Sequence, residues 1–341
     1  MKSKRDLRLV AVALVLLALP IAWLWWSSRG VEKRREATLA GVPQFPVPHQ
    51  PTRRRPFPVS APAPPALAPS PAPQQAAKHD PMSSFVLQPG SGAGLVQVNA
   101  LFNTPLFDRL RECLPEQFHG LDRLSRVLGV DVTRDVDRLG IAPDGVAMSG
   151  FLEGKRVAQS IIGPDASSEE YRGATMLSSG GHCAAQMGNL VVSSTKSADC
   201  RALVDRALAP TPADAGDQLY GDVFLRTDLA SFRGEDAPPE IRALVDSLDG
   251  LTLRANVWDS VAVTVEGTPR AGRDVRDLSR MANGALSVVK GQIEEDQVEL
   301  QTLAELAKVS TDSGKLEVNL ALPAQDLFDR FKFPCEKRDG G

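Results

Sequence analysis

An apolar run near the start of the chain sets the first constraint. Between Leu9 and Trp26, seventeen residues of Leu, Val, Ala, Ile and Trp are interrupted by a single proline. At about 1.5 Å of rise per residue, a helix of that length crosses a hydrocarbon core of about 30 Å. Lys2, Lys4, Arg5 and Arg8 precede the run, and Trp23, Trp25 and Trp26 stand at its far end, where amphipathic rings favour the headgroup layer. Residues 1–30 therefore read as a cytoplasmic tip and a transmembrane signal anchor. Ser28 and Gly30 would also suit a cleavage site, so a removable signal peptide is the competing reading.

A spacer follows. Of the 41 residues from Gly41 to Pro81, 13 are proline. Proline fixes φ and removes an amide donor, so residues 31–90 read as an extended, disordered stalk rather than helix or sheet. This layout resembles that of the TonB energy-coupling proteins, which also place a Pro-rich spacer after a short anchor. The resemblance covers organisation only and implies nothing about the larger C-terminal region.

Charge divides the chain the same way. Residues 1–81 carry 12 Lys/Arg against 4 Asp/Glu, whereas the remainder carries 27 against 38. An acidic domain is repelled by phosphate backbones, which excludes nucleic acid as a partner. Basic residues flank the anchor on both sides, so charge alone does not orient it. The four cysteines, Cys113, Cys183, Cys200 and Cys335, all lie beyond the stalk, an even number suited to disulfides in an oxidising compartment. The expected location is thus an inner membrane crossed once, with the soluble domain in the periplasm.

Beyond the stalk the pattern is α+β, a soluble region of mainly antiparallel sheet with helices. Strands are expected at Leu95–Asn99, 135–141, 145–152, 174–177, 182–187 and 190–194, and again at 218–227, 251–257, 260–268 and 315–322, because apolar residues alternate there between turn signals. Helices are expected at 105–128, opened by Pro105 and stopped by Gly129, then at 198–208, 239–248, across much of 270–309, and at 324–331. Val98-Asn99 followed by Leu106-Phe-Asp-Arg109 resembles Val318-Asn319 followed by Leu327-Phe-Asp-Arg330. That match suggests repeated strand-helix-strand-strand units, with domains or repeats at 91–210 and 211–335 and a disordered tail at 336–341.

The residues that could carry chemistry do not assemble into a motif. His119 and His182 are the only histidines beyond the stalk, and neither His-Glu-x-x-His nor Cys-x-x-Cys spacing occurs, so no metal or cofactor site is expected. In Gly180-Gly-His-Cys183, adjacent strand residues point to opposite faces, so His182 is not the base for Cys183. Asp131, Asp135 and Asp137 lack the glycine and distal Glu of a calcium loop. No catalytic residue is assigned. The pairings expected are Cys183–Cys200, closed locally, and Cys113–Cys335, each following one copy of Phe-Asp-Arg. The reading is a non-catalytic membrane-anchored envelope protein whose soluble domain binds another envelope protein or a wall or lipid component. The alternative is a periplasmic hydrolase or transferase using dispersed carboxylates or a Cys nucleophile. The sequence names no small-molecule ligand.

Overall fold

The computed structural model describes residues 45–48, 79–87, 92–194, 200–229, 239–292 and 303–330. The expected anchor, most of the expected stalk, Cys335 and the tail lie outside these residues.

One twelve-stranded sheet organises the molecule, and every pairing in it is antiparallel. Its strands are β1 (Ala93–Val96), β2 (Val136–Ala142), β3 (Gly145–Gly150), β4 (Ser167–Tyr171), β5 (Ala174–Ser179), β6 (His182–Met187), β7 (Leu190–Ser194), β8 (Val223–Asp228), β9 (Leu248–Val257), β10 (Ser260–Pro269), β11 (Lys308–Asp312) and β12 (Lys315–Pro323). The order across the sheet is β11-β12-β10-β9-β8-β1-β2-β3-β7-β6-β5-β4. Read outward from the central β1/β8 pair, both arms run first strand, second, third, last, last but one. The first arm alone continues, with the hairpin β4-β5. Tight turns set the hairpin registers: Gly188 takes φ 52° between β6 and β7, a conformation that costs glycine nothing. At the β2/β3 register shift, a side chain on Gly150 would lie 1.9 Å from the Asp135 carbonyl, so only glycine fits this bulge.

Side chains alternate between a front and a back face, and the two arms cover these faces differently. On the front of the first arm, α1 (Pro81–Val86) and α7 (Cys200–Leu208) bury Met82, Phe85, Leu203 and Val204 against Leu95, Ala142, Val192 and Phe224. The Asp80 carboxylate caps α1 by accepting from the Met82 amide, and Pro81 takes the first helical position, where no amide is needed. On the back of that arm, α2 (Val98–Phe102), α4 (Pro115–Leu128), α5 (Val132–Asp135) and α6 (Val157–Ile162) enclose Val132, Val136, Met148, Leu152 and Val191.

The back of the second arm is covered by helices from both arms. α9 (Pro239–Asp246) and α10 (Val275–Gln292) enclose Leu248, Leu278 and Leu316. Beside them, α3 (Pro105–Cys113), which belongs by sequence to the first arm, lays Leu106 and Leu110 against Ala255, Val257 and Leu322, together with Leu327 and Phe328 of α11 (Ala324–Arg330). The Leu106 amide donates to the Trp258 carbonyl and ties α3 to the β9/β10 turn. The front of this arm is polar: Thr252, Arg254, Asn256, Thr264, Glu266 and Asn319 share that face by register. A single turn, α8 (Ala215–Gln218), adjoins it.

The mainly antiparallel sheet with helices matches the expectation from sequence, with local differences. The helix expected through 105–128 is two helices, divided at Leu114 and Pro115 because proline at 115 supplies no amide to the preceding turn. β1 stops at Val96, and Val98–Asn99 open α2, whereas Val318–Asn319 lie in β12. The Val-Asn halves of the match thus differ, one helical and one in a strand, whereas Leu106-Phe-Asp-Arg109 and Leu327-Phe-Asp-Arg330 both lie in helices, α3 and α11. The segment read as helical from Arg270 to Val309 becomes a strand again at Lys308. Residues 79–87, drawn as the end of the stalk, belong to the folded body through α1.

Candidate binding surface

Helix α4 carries more apolar surface than its packing uses. Leu121 and Leu128 turn inward, yet Leu124 and Val127 remain 44% and 59% exposed. Spacings of three and four place these pairs on adjacent stripes of one wide apolar arc. α6 packs beside α4 and leaves Ile161 exposed as well. Gly129 ends α4 in the left-handed region, its amide bonded to Ser125, and turns the chain down into α5.

On its other flank α4 borders an open cleft of about 740 Å³, lined among others by Arg111, Phe118, His119, Asp122 and Arg126. Arg111 lies with its guanidinium carbon 5.7 Å from the Phe118 ring centre. The Arg126 Nε donates to the Asp122 carbonyl at 3.3 Å. The acidic wall of the cleft is committed to local structure. Asp131 accepts from the Thr133 amide at 3.0 Å, and Asp135 accepts from the Asp131 amide at 2.8 Å and pairs with Lys155 at 2.5 Å. The exposed Leu124 and Val127 on one flank of α4 can hold an apolar anchor from a partner, and Arg111 and Arg126 at the cleft on the other flank can hold a carboxylate.

The residues singled out from sequence fall in separate places. Cys183 and Cys200 are joined by a disulfide that ties β6 to α7, with Cα atoms 6.0 Å apart. Cys183 is therefore no thiol nucleophile, which removes the cysteine form of the hydrolase reading. Cys113, buried at the end of α3, is also disulfide-bonded; its expected partner Cys335 lies outside the described residues. His182 is exposed on β6, and His119 is exposed on α4 some distance along the chain. Among the described residues, no three His, Cys, Asp or Glu side chains form a group able to hold a metal, and no helix is long and apolar enough to cross a membrane.

One cluster escaped sequence reading. On the polar front of the second arm, Arg254 and Glu266 are 5% and 7% exposed and form an ion pair. The Tyr220 hydroxyl donates to Glu266 at 3.1 Å, and Lys315 Nζ donates to its other oxygen at 3.0 Å. The Arg254 guanidinium lies 4.2 Å from the Tyr220 ring centre. Burial, with the nearby Glu266 and Glu317 adding to it and Arg254 opposing, pushes the Tyr220 phenol up to about 12, so it stays a donor. The signal available was charged residues at inward-alternating positions of two apolar strands, but which face those positions occupied required the sheet.

No family model matches the chain, and no curated protein matches it. Two solved structures of TP0453 are similar in outline. Crystal form III gives a TM-score of 0.40 at 11% identity, covering 72% of this chain and 94% of that one. Crystal form I gives 0.40 at 13% identity, covering 76% and 98%. A likeness that loose carries no function across.

Proposed function

We propose that this chain is a non-catalytic, membrane-anchored envelope protein that binds another protein through α4. The observation that carries the reading is the exposed Leu124/Val127 stripe of α4, with a cleft edged by Arg111 and Arg126 on the helix's other flank. A partner element presenting an apolar side chain and a carboxylate would bury the first and pair the second, the usual composition of a small interface centre. The anchor at Leu9–Trp26 and the Pro-rich segment would hold the domain outside an inner membrane at a variable distance. Support for the oxidising compartment comes from the Cys183–Cys200 bridge, since such bonds persist in a periplasm and are reduced in most cytosols.

Photo-crosslinking in cells tests the interface. A benzophenone side chain at Val127 of the full-length protein should give one discrete protein adduct, absent when the probe sits at the exposed Thr311 and lost when Leu124→Glu is added. Equal adducts at both positions, or none at Val127, would overturn the surface, and turnover of an ester or cell-wall substrate by the purified protein would overturn the non-catalytic reading. Compartment is tested separately: a membrane-impermeant maleimide should label the cysteines of intact cells only after reduction. Labelling that needs lysis and no reduction would place the domain in the cytoplasm.

A further inference from the structure

Phe45, Pro46, Val47 and Pro48 lie within the segment read as spacer, more than 30 residues before His79. Their burial is uneven. Pro46 is buried, while Phe45, Val47 and Pro48 are exposed. A buried proline between exposed neighbours is the pattern of a single anchor inserted into a receiving notch.

The notch is at Gly221, just before β8. Gly221 adopts φ 93°, a conformation L side chains rarely take, and a Cβ placed on it would stand 3.3 Å from Pro46 Cβ and 3.0 Å from the Ala255 carbonyl. Glycine is needed there for backbone reasons, and its missing side chain leaves the space that Pro46 fills. The flanking residues are fixed. Tyr220 is held by its bond to Glu266, and the Asp222 amide donates to the Ala255 carbonyl at 2.8 Å while the Asp222 carboxylate accepts from the Val257 amide at 2.7 Å. A rigid notch meeting a Pro-x-Pro segment is a favourable combination, because proline fixes φ in advance and little conformational entropy remains to be lost on docking.

We infer that Gly221 and its neighbours form a docking seat for the chain's own Phe45–Pro48 segment, a latch that holds the N-terminal chain against the second arm. The anchor residue is Pro46. Latching fixes the domain roughly 30 residues nearer the N-terminus than Asp80 does. On the tether reading proposed above, on which this consequence but not the latch itself rests, a closed latch shortens the reach of the domain and an open one extends it.

The latch is tested in the full-length protein by hydrogen exchange. Pro46→Glu should speed exchange at Tyr220–Asp222 at least tenfold while β2 and β3 keep their protection. Pro48→Glu places the same charge on the same segment at an exposed position and should leave exchange at Tyr220–Asp222 unchanged. The inference is overturned if neither variant alters exchange there, or if both alter it equally, because a seat that recognises Pro46 must distinguish the two. Failure of the α4 crosslink would leave this result untouched, so the two proposals fall independently.

Discussion

Arg254 and Glu266 illustrate how much a single buried charge depends on its neighbour. Each is removed from water and compensated mainly by the other, with Tyr220 and Lys315 completing the bonds of the carboxylate. Glu266→Ala would strand Arg254, whose Nε already lacks a partner among the described residues, and should cost about 3–5 kcal/mol in urea unfolding. Replacing both by Met and Leu should cost well under that, since it removes the desolvation penalty along with the attraction. A double variant as unstable as the single one would show that the pair contributes net stability. Asp80 gives the pH dependence. Burial raises its carboxyl, but two bonds from Arg138 at 2.7 and 2.8 Å, the charge of Arg138, the Ser83 hydroxyl and the Met82 amide outweigh it and hold the pKa below its ordinary value. A carboxyl depressed in the folded state contributes stability above its unfolded pKa and loses it as pH falls through the folded one. Wild type should therefore lose stability on acidification below about pH 4, and Asp80→Asn should be less stable at neutrality by about 1–2 kcal/mol but flatter through that acid range. Parallel acid profiles would remove Asp80 as the cause.

At the scale of elements, α1 shows how a helix can depend on a missing side chain in the sheet beneath it. A Cβ on Gly140 of β2 would approach Met82 Sδ to 2.6 Å and Val86 to 3.1 Å, so α1 lies directly on the strand backbone. Gly140→Val should lift α1, destabilise the protein by about 1–3 kcal/mol and open the chain near Met82 to proteolysis, read by mass mapping of early fragments. Unchanged cleavage would mean the helix shifts without leaving. The sequence held the start signal for α1, Asp80 followed by Pro81, yet six residues are too few for an apolar period and the proline-rich context argued the other way. β4 was missed for a different reason: Ser167–Tyr171 is an edge strand exposed through most of its length, so it lacks the apolar alternation that marks a half-buried strand. Hairpins β6-β7 and β9-β10 were legible because alternation and turn residues coincide there.

Across the whole molecule the two arms are interlocked rather than merely adjacent. β1 pairs with β8 at the centre of the sheet, and α3 crosses from the first arm to complete the core of the second. Neither arm can open without exposing apolar surface of the other, so the arms should unfold together. Hydrogen exchange in increasing urea should bring the slow amides of β2-β3 and β9-β10 onto one isotherm, and two well-separated isotherms would show the arms to be independent units. The sequence by itself determined the class of fold and most strands and pointed to the pairing of Cys183 with Cys200, because alternation, turn chemistry and a short loop between cysteines are local properties of the chain. Only the tertiary structure decided that one sheet runs through both arms, that α3 serves the arm to which it does not belong by sequence, that Arg254 meets Glu266, and that Pro46 meets Gly221. Those are choices of face and neighbour between distant segments, fixed by which surfaces exclude water together, and no spacing within a single segment encodes them.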